Sequence, residues 1–65
     1  MIEVNFMHEG KLLTVLNFYF RINNGDTILV DSILYEVIDA GTIDIKKHKN
    51  GDVSVEQNAT VRVIF

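Results

Sequence analysis

Three of the four glycines share one setting: His8-Glu9-Gly10, Asn23-Asn24-Gly25 and Lys49-Asn50-Gly51, each between apolar runs rich in β-branched residues. A three-residue hairpin loop is a type I turn followed by a residue in the left-handed region, which glycine enters without a Cβ clash. The pattern predicts three hairpin loops with glycine in third place. Two-residue Asn-Gly turns compete at the second and third sites.

Side-chain alternation tests the register. A loop at 23–25 pairs Ile22 with Asp26, Phe20 with Ile28 and Phe18 with Val30, and the apolar pairs share a face. A loop at 49–51 pairs His48 with Asp52, Lys46 with Ser54 and Ile45 with Val55, leaving Ile43, Ile45, Val53 and Val55 on one side. A loop at 8–10 pairs Phe6 with Leu12 and Ile2 with Leu16. Asp31-Ser32 reads as a two-residue turn that sets Val30 against Ile33 and Ile28 against Tyr35. Gly41 lies inside a strand pattern and suggests a bulge or a sharp bend, and Asn58 is placed to break the last strand before TVRVIF.

No segment sustains an apolar period near 3.6 residues, so no helix is expected. The expected fold class is all-β: a small antiparallel meander of five to seven strands, near 2–7, 12–22, 26–31, 33–40, 42–48, 52–57 and 59–65. Such a sheet must curl into a barrel or roll, since an open one leaves its edges unpaired. The expected core is Ile2, Val4, Phe6, Leu16, Phe18, Phe20, Ile28, Val30, Ile33, Tyr35, Val37, Ile43, Ile45, Val53, Val55, Val61 and Val63.

The stretch Gly25-Asp26-Thr27-Ile28-Leu29-Val30-Asp31, followed by Tyr35-Glu36-Val37-Ile38, resembles a pattern of small SH3-like barrels, among them proteins of phages and mobile elements. It covers about a third of the chain, and Ser32 stands where such turns often have glycine. The resemblance implies an SH3-like barrel with a small accessory role, and it carries over no catalytic or binding residue.

Sixty-five residues make one domain, 1–65, near the lower size limit for folding alone. Chains of this size usually need a staple. Without cysteine there is no disulfide and no thiolate metal site. His8 and His48 are a poor basis for zinc, so oligomerisation is the remaining staple. The net charge of −3 disfavours broad duplex binding, which needs a basic footprint. No apolar run approaches a membrane span of about 20 residues. The opening MIEVNF lacks a signal-peptide pattern, so a cytoplasmic location is expected, and Asn58-Ala59-Thr60 is read as a chance glycosylation match.

The same register gives a second, surplus apolar face: Met7, Leu13, Val15, Tyr19, Leu29, Leu34 and Ile38. An outer sheet face in water should be polar, so this one is covered either by the barrel's own closure or by another chain. Tyr19 and Met7 suit a partner interface, and Val63-Ile64-Phe65 offers an apolar edge for a symmetry mate.

Lys46, Lys47, His48 and Lys49 form the single basic cluster. Residues 1–45 hold two basic and seven acidic groups, a balance of −5, and residues 46–65 hold four and two, a balance of +2. The cluster is either a contact for phosphates or a charged guard against edge aggregation. Single-strand binders add aromatic platforms, and here five of the six aromatics fall in 6–35, so nucleic acid is not favoured. Asp26, Asp31, Glu36 and Asp39 match no calcium loop. No catalytic set is apparent, and no cofactor or metal is implied.

The leading expectation is a non-enzymatic interaction module, homodimeric or bound to a protein partner, of the phage accessory type that inhibits or modulates a host protein. The alternatives are a nucleotide or nucleic-acid binder using residues 46–49 and a structural, virion-type subunit.

Overall fold

A computed structural model describes residues 1–65. Six strands form one sheet: β1 (Ile2–His8), β2 (Lys11–Phe18), β3 (Thr27–Val30), β4 (Ile33–Asp39), β5 (Ile43–Lys47) and β6 (Val53–Val63). The order is β2-β1-β6-β4-β3, with β5 also beside β6. The sheet curls strongly into a half-barrel, so the expected all-β, curled, few-stranded class is what the chain adopts.

β6 organises the sheet. Along one edge it pairs in parallel with β1, from Glu3↔Glu56 to Met7↔Thr60. Along the other it takes β5 antiparallel over Val53–Gln57 and then β4 over Thr60–Val63. At roughly 3.3 Å per residue, eleven residues run about 36 Å, which accounts for the 43 Å long axis. The hand-over from β5 to β4 occurs where Gly41, at φ +69°, packs its Cα against the Asn58 carbonyl. A Cβ there would overlap that oxygen, so glycine is required by both space and backbone angle.

The parallel β1–β6 pair corrects the all-antiparallel meander. The first loop is a two-residue Glu9-Gly10 turn with φ 52° and 77°. Its register is Ile2↔Phe18 and Phe6↔Thr14, and Leu13 is the extra residue of a bulge that restores the alternation. Asn23-Asn24-Gly25-Asp26 does make a turn, with the Asp26 N–H donating to Asn23 O at 3.1 Å, but it joins no hairpin. β2 stops at Phe18 and β3 lies at the opposite sheet edge, because the Ile22 backbone is bound by Gln57 rather than by Asp26.

The third loop holds as expected. Lys46 faces Ser54, Ile45 faces Val55, and the His48 N–H donates to Asp52 O at 2.8 Å. Asp31-Ser32 also turns as expected, with φ 49° and 66°. Asn58 does not break β6, which is one strand through Val63.

The core is small: Val4, Phe6, Ile22, Tyr35, Val37, Ala40, Ala59 and Val61, with Gln57 fully buried among them. The Gln57 Oε1 accepts from Ile22 N–H at 3.1 Å, while its Nε2 donates to Ile22 O at 2.9 Å and Ala40 O at 2.8 Å. One amide thus fastens the 19–26 crossover and the β4–β5 link to the central strand. Leu16, Phe20, Ile33, Ile45, Val53 and Val63, expected in the core, are exposed. The reason is incomplete closure: Leu16 sits on an edge strand, and Ile45 and Val53 lie on the β5–β6 arm beyond the start of β1.

Candidate functional site

Pairing fixes which residues share a face. Val4 faces Gln57, Phe6 faces Ala59 and Val37 faces Val61, which defines the inner face; Asn5, Glu36, Leu34, Glu56, Asn58 and Arg62 lie on the outer face. The middle of the outer face is polar. Asn5 Nδ2 donates to Asn58 Oδ1 at 2.9 Å, and Arg62 reaches Glu36 through Nη2 at 2.8 Å and Nε at 3.0 Å. Lys46 Nζ sits 3.1 Å from Glu56.

This polar band splits the expected surplus face in two. β2 and β3, expected as neighbours, close opposite ends of the sheet. On the β1–β2 side, Val15 opposes Asn5 and Met7 opposes Leu12. Tyr19 follows just beyond β2 and is 88% exposed. Leu13 does not belong to that surface; as the bulged residue it packs against the core. Ile38 is likewise an extra residue, in the β4 bulge between Val37 and Asp39.

On the other side, Leu29 opposes Leu34. The chain then continues past β6, where the Ile64 and Phe65 N–H groups both donate to Leu34 O, at 2.9 and 3.2 Å, and Leu34 N–H donates to Phe65 O at 2.8 Å. Two residues oppose one, as in a β-bulge. Leu29, Leu34, Ile64 and Phe65 therefore form an apolar row across three strands, with Leu29 70% and Phe65 87% exposed. The expected free edge at Val63-Ile64-Phe65 is instead paired to β4 on this side.

The basic hairpin is partly engaged by its own arm. The hydrogen bond that Lys46 donates to Glu56, the charge of Glu56 and the charge of Asp44 hold the Lys46 ammonium above its ordinary pKa. His48 Nε2 lies 2.7 Å from Ser54 Oγ, leaving Lys47 and Lys49 as the exposed, unpaired cations of the tip. Each member of the acidic set sits in a local role. Asp26 accepts from Asn23 N–H, Asp39 accepts from Gly41 N–H at 3.0 Å, Glu36 pairs with Arg62, and Asp31 is in a turn. The His8 ring meets Tyr35 edge-on at 5.3 Å.

Comparison with protein-family models, curated proteins and solved structures finds no match.

Proposed function

We propose that the chain is a non-enzymatic interaction module that binds a protein partner through the row Leu29, Leu34, Ile64 and Phe65. The observation that carries this reading is the row itself: four large apolar side chains, adjoining across β3, β4 and the end of β6, beside a band of ion pairs and amide contacts. Water-facing sheet surfaces are normally polar, and an apolar patch rimmed by polar groups marks an interaction site. The row is set on backbone that is hydrogen-bonded from strand to strand, which holds it in place for docking against a protein surface. Binding of this kind would modulate or inhibit the partner by occupying its surface.

The test is affinity capture with wild type, Leu29→Lys and Phe65→Lys, followed by titration of the identified partner in purified form. One partner bound stoichiometrically, with affinity at least tenfold weaker for both variants, is the expected result. Undiminished binding by those variants, or binding lost only on reversing Lys46, Lys47 and Lys49, overturns it in favour of the basic hairpin.

A further inference from the structure

We infer that two copies of the chain associate through β2, edge to edge and antiparallel across a two-fold axis. The proposal does not use the Leu29 row, so it stands or falls separately from the proposed partner site.

β2 is hydrogen-bonded to β1 on one side and ends the sheet on the other. Its outward N–H and C=O groups form an open template for another strand. Natural sheets blunt such edges with charge, proline, bulges or brevity. β2 has eight residues, Lys11 as its sole charge and no proline; its bulge at Leu13 leaves Thr14–Phe18 regular. The other edges are guarded. β3 has four residues, and β5 carries Asp44, Lys46 and Lys47 within five. β2 is thus the longest of the three, and its regular Thr14–Phe18 stretch carries no charge.

An antiparallel strand can pair with its own copy, which is the self-complementarity an isologous dimer requires. Directly opposed residues must share a face, so the axis falls on a residue, Val15 or Leu16, and not between them. Lys11 then lies four or five positions from the axis, well clear of its symmetry mate. The side chains available are apolar on both faces. Val15 points outward and Leu16 inward, and the inner face continues through a ring series Phe6–Phe18–Phe20 with 6.1 Å steps, ending on exposed Phe20.

The surface area points the same way. A monomer of 7.4 kDa should expose about 4200 Å² by size scaling, whereas this chain exposes 4680 Å². Tyr19 and Phe20, at ~200 Å² per aromatic side chain, present roughly 300 Å² beside this edge. With Leu12, Val15, Leu16 and the strand backbone, the face reaches about 600 Å² per copy, the low end for a specific interface.

The chain has no cysteine, so single-cysteine variants report proximity cleanly. Opposed antiparallel residues bring Cβ atoms to ~4.5–5.5 Å, near disulfide reach. Val15→Cys, Leu16→Cys and a Leu29→Cys control are oxidised and run on non-reducing gels, alongside wild-type sedimentation over a concentration series. The expected result is a concentration-dependent wild-type dimer, with one of the two β2 variants crosslinking severalfold more than the control. A wild type that stays monomeric, with both β2 variants crosslinking no more than the control, overturns the β2 dimer and leaves the partner site intact. A dimer that crosslinks through Leu29→Cys instead overturns both, since the row is then a self-interface.

Discussion

Replacing Gln57 tests the joint that holds the crossover to the sheet. In Gln57→Leu the volume is kept, but Ile22 N–H, Ile22 O and Ala40 O each lose their partner. A buried backbone group left unpaired costs ~1–3 kcal/mol, and the crossover can shift to admit water, so a loss of about 3 kcal/mol is expected. A chain of this size has a stability of only ~3–10 kcal/mol. With a urea slope of roughly 1 kcal/mol per molar, the unfolding midpoint falls by about 3 M, or the variant is unfolded in buffer.

Gln57→Glu sharpens the test. Its carboxylate can still accept from Ile22 N–H but faces two carbonyl oxygens where the amide donated. Burial and these oxygens raise its folded pKa above the ordinary ~4.3. A raised folded value means that the variant is most stable below the unfolded pKa and loses stability as pH rises through the folded one. Urea midpoints at pH 4 and pH 7, read by far-ultraviolet circular dichroism, should therefore favour acid for Gln57→Glu relative to wild type. A Gln57→Leu midpoint within about 0.5 M of wild type, or a Gln57→Glu variant indifferent to pH, refutes the role given to this amide.

Three further outcomes follow from the backbone and the ion pairs. Gly41→Ala forces a Cβ onto the Asn58 carbonyl at a positive φ; a loss of at least ~2 kcal/mol should lower the melting temperature by about 8–16 °C. Asp31-Ser32→Asn-Gly places favoured residues at φ 49° and 66° and should raise it by about 3 °C, for a gain of ~0.5 kcal/mol. Lys46 has its folded pKa raised above 10.5 by Glu56 and then Asp44, so its pairing contributes fully below that pH and is lost as pH climbs through the folded value. Any melting-temperature advantage of wild type over Lys46→Gln should hold at neutral pH and close in strongly alkaline buffer.

What could be read from the sequence was local. The 49–51 loop and the Asp31-Ser32 turn set their registers within a few residues, and turn chemistry suffices for that. Partner choice over longer range was hidden. Asn23–Asp26 makes its turn, yet whether β2 and β3 then pair depends on Gln57, more than thirty residues away. A parallel β1–β6 pair leaves no turn signal at all. Gln57 itself left a trace: Val53, Val55, Gln57, Ala59, Val61 and Val63 alternate without a break, which marks a single strand with a polar residue turned inward. Asn58, of a residue type depleted in strands, sits inside that run without breaking it. Of the candidate surface, Leu29 and Leu34 were placed together correctly by the short hairpin. Leu13 and Ile38 were misplaced because bulges shift the parity on which face assignment depends.

The proposed binding site requires the apolar row at Leu29 and Phe65 to be surface and not core. Urea unfolding of Leu29→Glu and Phe65→Glu beside wild type, in dilute solution, tests it most directly. Surface substitutions lie within about 0.5 kcal/mol, so midpoints within roughly 0.5 M of wild type are predicted for both. A midpoint lower by about 2 M or more would mean that the row is buried in the folded chain, and the proposed binding surface would not exist.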